Sequence, residues 1–181
     1  MKFLIASDIH GSARYCSDLL SAYCREQADR LLLLGDILYH GPRNDLPEEY
    51  APKAVAGMLN GQKEQILCIR GNCDADVDQM MLDFPILSDF AFLSVDGLRI
   101  YATHGHVFGP DHLPPLCPGD ILLYGHTHIP SWEKREGIFC LNPGSLSIPK
   151  QNTRHGYMLL EHGSFTWKDL DGTIYHTLDL S

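Results

Sequence analysis

The chain has 181 residues, 44% of them hydrophobic, which is enough for one well-formed core, so a single domain spanning 1–181 is expected. Its 14 Lys and Arg face 23 Asp and Glu, and the resulting charge of −9 argues against broad binding to a nucleic-acid backbone, which needs a basic surface. The opening MKFLIASDIHG holds too few apolar residues for a signal peptide or a membrane span, and six scattered cysteines without a CxxC pair read as reduced thiols, so a soluble cytoplasmic protein is expected.

In chain order, KFLIAS is apolar and β-prone and reads as a buried strand. Ser12 is placed to cap a helix on which Cys16, Leu19, Leu20 and Tyr23 recur at helical spacing, and LLLL at 31–34 reads as a second buried strand. The polar segment HGPRNDLPEEY, 40–50, is long enough to line or cover a site. Pro52 can open a short helix with Val55, Met58 and Leu59 on one face and Gly61 just past its end, and QILCI at 65–69 is a third buried strand. Strand, helix, strand, helix, strand implies right-handed crossovers and a parallel sheet.

The second half carries hairpin signals instead. FAFLSV and LRIYAT flank Asp96-Gly97, WEKR and IFCL flank Glu136-Gly137, YMLLE and SFTW flank His162-Gly163, and Asp171-Gly172 introduces a last strand. The whole reads as an α/β protein whose parallel half joins a hairpin-rich half. Cys16, Cys24, Cys68 and Cys140 read as small core residues.

Five apolar runs end in turns rich in metal-binding side chains: SDIHG with Asp8 and His10, GDI with Asp36, GNCD with Asn72 and Asp74, THGH with His104 and His106, and GHTH with His126 and His128. Each pair alone is weak, since turns use Asp and Asn for their own backbone, but ligands in open α/β sheets bind at the carboxyl ends of strands, where these five turns can converge. Asp8, His10, Asp36, Asn72, His104, His126 and His128 are more donors than one tetrahedral zinc takes. Two ions sharing a carboxylate would use them all, and a pair roughly 3.5–4 Å apart is a device of phosphoryl chemistry. A mixed N and O set suits Mn, Fe or Zn better than Mg.

The ordered set D-x-H, G-D, G-N-x-D, T-H-G-H and G-H-T-H, with HGPRN, RGNCD, DQM, THGHVFGP and NPGSLSIPK, resembles the calcineurin-like metallophosphoesterases, and within them the small bacterial YfcE/MJ0936-type phosphodiesterases. The resemblance spans roughly Phe3 to Lys150. It implies a four-layer αββα sandwich and a dinuclear centre, most readily of manganese, with Zn, Fe or Ni as alternatives. By matching position, Asp8, His10 and His128 would hold one ion, Asn72, His104 and His126 the other, and Asp36 would bridge them. Many members of the wider superfamily have a histidine after G-N, thought to protonate the leaving group; here Cys73 stands in its place, either as a proton donor or as an inert small side chain.

The reaction expected is hydrolysis of a small-molecule phosphodiester by a metal-bound hydroxide, because metal binding lowers the pKa of water from about 15.7 to near 7. His106 either orients substrate or is a structural turn histidine. Asp74 either buttresses Asn72 or a histidine, or caps the helix that follows. Arg43 and Asn44 contact substrate or remain solvated surface. The competing readings are a phosphomonoesterase or nucleotidase and, more remotely, a non-catalytic protein-binding scaffold of the same fold. Exposed strand edges leave a homo-oligomer open.

Overall fold

The structure, a computed structural model, describes residues 1–180. The first half alternates β1 (Phe3–Ala6), α1 (Ala13–Glu26), β2 (Arg30–Leu33), α2 (Pro52–Asn60), β3 (Ile66–Cys68) and the single-turn α3 (Asp76–Gln79). Then follow β4 (Phe90–Val95), β5 (Leu98–Thr103), β6 (Ile121–Leu123), β7 (Ser131–Arg135), β8 (Ile138–Asn142), β9 (Gly156–Glu161), β10 (Ser164–Asp169) and β11 (Ile174–Asp179).

These strands form two mixed sheets, ordered β11-β10-β9-β1-β2-β3 and β4-β5-β6-β8-β7. β1, β2 and β3 pair in parallel, as do β5, β6 and β8. The hairpin half is therefore not a separate layer. Its last meander returns to the first sheet, where β9 pairs antiparallel to β1, while the β4–β5 and β7–β8 hairpins flank β6 in the second. At all three two-residue turns both positions have positive φ, as Asp96 (50°) and Gly97 (81°) do, and this matches the twist of the flanking strands.

Side-chain alternation along β1 and β2 sorts the core into layers. Leu4, Ala6, Leu31 and Leu33 face the helices, meeting Cys16 and Leu19 of α1 and Val55 and Leu59 of α2. Phe3, Ile5, Leu32 and Leu34 face the second sheet, meeting Ile100, Ala102, Ile121, Leu123 and Leu141. Burial on both faces explains why these strands read as unbroken apolar runs. The outer face of the second sheet, Leu122, Tyr124 and Cys140, is covered by Leu113 and Leu116 from the connection 104–120, which carries no helix.

Ser12 caps α1, accepting from the Tyr15 amide, and Pro52 opens α2. One core assignment is corrected: Cys24 is exposed, because it falls on the solvent side of α1, whereas Cys16, Cys68 and Cys140 are buried.

Candidate metal centre

All seven expected donors lie at the carboxyl ends of β1, β2, β3, β5 and β6. Glycine lets the turns approach one another. A Cβ on Gly35, whose φ is +95°, would strike the Gly71 backbone, and one on Gly71 would strike the Asp36 carboxylate. Five of the seven donors, Asp8, His10, Asp36, His126 and His128, themselves have left-handed backbones with φ between 49° and 64°. Asp and His visit this region more readily than most residues, yet such conformations cost about 1 to 3 kcal/mol each and persist only where the surroundings enforce them.

Those surroundings are hydrogen bonds. Ser145 and Ser147 hydroxyls donate to the Asp8 carbonyl at 3.0 and 3.1 Å, and the His126 amide donates to Asp8 Oδ2 at 3.1 Å. Asn142 Nδ2 donates to Gly125 O and Thr127 Oγ1, anchoring the GHTH turn from β8. Asp74 makes no hydrogen bond to Asn72 or a histidine and does not cap α3, whose N-cap is Ala75. Its carboxylate accepts instead from the amides of Asp36, Ile37 and Gly71 at 2.7–2.8 Å, tying the second turn to the third.

Three histidines are oriented in the same way. His10, His104 and His128 each donate Nδ1–H to a backbone carbonyl, those of Tyr39, Leu34 and Ile148, at 2.6–2.8 Å. That fixes the tautomer and aims each Nε2 inward. His10 and His128 Nε2 stand 3.3 Å apart, 3.6 and 3.2 Å from Asp8 Oδ1. Asp36 Oδ2 lies 3.6 Å from His10 Nε2 and 3.4 Å from His104 Nε2, while its Oδ1 accepts from the Cys73 amide. Donor atoms of Asp8, His10 and His128, and of Asp8, Asp36 and His104, lie within 4.8 Å of one another; so do those of His10, Asp36 and Cys73. Asn72 Oδ1 sits 3.1 Å from His104 Nε2, and the His126 ring packs edge-on against His104.

The arrangement fits a cation. Asp8 Oδ1 is fully buried without a hydrogen-bond donor, and two inward imidazole lone pairs at 3.3 Å repel unless a proton or a cation comes between them. Burial opposes the charge on Asp8, but the adjacent imidazoles of His10 and His128, with His104 beyond them, prevail and hold its carboxyl well below the usual range. Burial likewise opposes protonation of His104, yet Asp36 and Asp8 push it up to about 9. Burial and the charge of His104 press His126 down to about 4.

The donors open onto a cleft of about 480 Å³ whose walls include Asp36, Arg43, Asn44, Asn72, His126 and His128. Asn44 also closes its own loop, donating to His40 O at 2.8 Å. Cys73 lines the cleft, and burial followed by the charge of Asp36 pushes its thiol up to about 12. His106 is exposed and lines a neighbouring cleft, its ring 5.4 Å from that of His104. Lys150 and Thr127 line the main cleft as well. Those two, with Asn142, Ser145 and Ser147, are absent from the sequence-level assignment; Thr127 lies inside the GHTH motif, and the signal for the other four was the NPGSLSIPK segment.

A family model for the calcineurin-like phosphoesterase superfamily domain matches residues 1–164. The chain belongs to that family. It is 48% identical over 162 residues to phosphodiesterase YfcE of Escherichia coli K12, covering 90% of this chain and 88% of that one. A solved structure of YfcE, described as a phosphoesterase, superposes with a TM-score of 0.96 at 43% identity over 100% of both chains. Wild-type Vps29 from Entamoeba histolytica, 19% identical with a TM-score of 0.61, shares the fold. Two mixed sheets flanked by helices are thus the architecture of this family, here with a helix-free outer cover on the second sheet. Among the described residues, no helix is long and apolar enough to cross a membrane.

Proposed function

We propose that the chain is a metal-dependent phosphodiesterase acting on a small-molecule diester in a reduced, cytoplasmic setting, and that 1–181 works as one domain, its donors coming from turns of both sheets. The observation that carries this reading is the buried, unpartnered Asp8 Oδ1 facing the inward Nε2 atoms of His10 and His128, beside Asp36. Asp8, His10 and His128 would hold one cation and Asn72, His104 and His126 another. Asp36, whose Oδ2 lies between His10 and His104, would serve both. Two divalent cations, manganese before Zn, Fe or Ni, would supply Lewis acidity and lower the pKa of water from about 15.7 toward 7, so that a nucleophile exists at neutral pH.

The chain's own groups bind and orient the substrate. Arg43 and Lys150, from two different loops lining the cleft, neutralise phosphoryl oxygens, and Asn44 shapes the loop that carries Arg43. His106, beside His104 and His126, positions the substrate from the open side. Cys73 keeps its proton at neutral pH and sits against the cleft, where a leaving oxygen would depart. A donor with a pKa near 12 transfers its proton poorly, which favours diesters whose leaving groups depart unaided. The same two cations would also receive a terminal phosphate dianion, so monoesters are the competing substrates.

The test is hydrolysis of bis-p-nitrophenyl phosphate and p-nitrophenyl phosphate by stripped protein resupplied with Mn, Zn, Fe(II), Ni or Mg. Metal-dependent cleavage favouring the diester is expected. A monoester preference makes the chain a phosphomonoesterase. Silence without bound metal makes it a scaffold.

A further inference from the structure

A second cavity, of about 350 Å³, adjoins the cleft of the candidate metal centre. Cys73 lines both, so the two spaces meet at one side chain whose amide is bonded to Asp36. The cleft presents Arg43, Asn44 and Lys150, whereas the cavity presents Leu38, Tyr39, Tyr50, Val77 and Met81. Lys53 and Asp78 are its only charged wall residues, and Asp78 is turned onto its own backbone, accepting from the Ala75 amide at 2.9 Å. Three of the apolar residues remain in contact with water: Tyr39 is 40% exposed, Val77 65% and Met81 44%. Apolar surface left open beside a polar cleft marks a place where something apolar binds.

We propose that this cavity holds one apolar ester arm of the substrate, an aryl or short branched alkyl group. The proposal rests on the phosphodiesterase reading and specifies its substrate class. A phosphodiester joins one anionic centre to two uncharged arms. With the anion between Arg43 and Lys150, an arm passing Cys73 enters the cavity. A sugar or another hydroxyl-rich arm would exchange part of its hydration for walls that offer few polar partners, a penalty that an apolar arm does not incur. Met81, unbranched and flexible, lets the wall adapt to the arm's shape. Continuity with the cleft at Cys73 is what assigns the cavity to the substrate itself rather than to a second copy of the chain.

The experiment uses two inhibitors of bis-p-nitrophenyl phosphate hydrolysis that differ in one arm, dimethyl phosphate and benzyl methyl phosphate. The metal-loaded protein should bind the benzyl compound about tenfold more tightly, a modest return for burying one ring. In Val77→Asp and Met81→Asp that ratio should fall to near one, while Met80→Asp, exposed and outside the cavity, retains it. A wild-type ratio near one overturns the proposal alone. A ratio that survives both cavity variants but is lost in Phe90→Asp places the arm in the aromatic cleft beside His106, and also overturns it. Concentration-dependent self-association abolished by Val77→Asp shows a second copy as the occupant and overturns it too. No hydrolysis by the metal-loaded wild type overturns the phosphodiesterase reading, and the proposal falls with it.

Discussion

The Asp74 carboxylate holds the backbone of Asp36: Oδ2 accepts from the Asp36 amide and Oδ1 from the Ile37 amide, both at 2.8 Å. A residue at the end of β3 therefore sets the position of the carboxylate placed between His10 and His104. Asp74→Asn puts an amide donor against amide donors. Metal affinity and activity should fall about 10- to 100-fold, as for other supports of ligating side chains. Thermal unfolding of the metal-free protein should show a loss of about 2 kcal/mol. Wild-type metal binding in that variant would show that Asp36 is positioned by other means.

Asp36→Asn tests the centre itself. The variant keeps an oxygen for the Cys73 amide but not the negative charge facing His10 and His104. Hydrolysis should be abolished while circular dichroism remains that of the folded wild type. Turnover at the wild-type rate would rule out the shared carboxylate.

Cys73→His addresses proton delivery. The wild-type thiol, pushed up to about 12 by burial and Asp36, is a weak donor at neutral pH, whereas an imidazole titrates near 6.5. Across a series of aryl diesters, the variant should gain on those with poor leaving groups relative to those with good ones. An unchanged slope of log kcat against leaving-group pKa would mean that position 73 does not reach the departing oxygen.

Metal binding should be linked to protons through His104. In the metal-free protein its folded pKa, about 9, lies above the ordinary value near 6.5, so its charged form adds stability that is complete below pH 6.5 and is lost as pH rises through 9. A cation needs the neutral imidazole, so binding at pH 7.5 must expel that proton, and affinity should rise with pH until about 9. Calorimetric titration in two buffers of different ionisation heat measures the release. The same apparent heat in both buffers would mean that His104 is already neutral.

The strands and their ends were legible because burial on both faces writes an unbroken apolar run, and Asp8, Asp36 and His104 follow such runs directly. The hairpins were legible from Asp96-Gly97 and its two counterparts, but their sheet membership was not. Whether β9 pairs with β1 or with a hairpin neighbour depends on contacts between Leu4 and Leu159, residues 155 positions apart. The supports escaped for a related reason. Ser145 and Ser147 bond to the Asp8 carbonyl, 137 and 139 positions away, and Asn142 to the GHTH turn, 17 and 15 positions away, and nothing in their spacing reveals either partner. Asp74 was noticed because it stands beside Asn72, and its partners were misread for the same reason.

The left-handed backbones at Asp8, His10, Asp36, His126 and His128 bear on how this chain tolerates mutation. At each of them glycine or asparagine relaxes the main chain, and neither restores the imidazole or the carboxylate charge. Selection for thermostability alone, in a library grown without demand for catalysis, would therefore drift toward Gly and Asn at these positions. The most stable descendants of the protein would be those that had lost its chemistry.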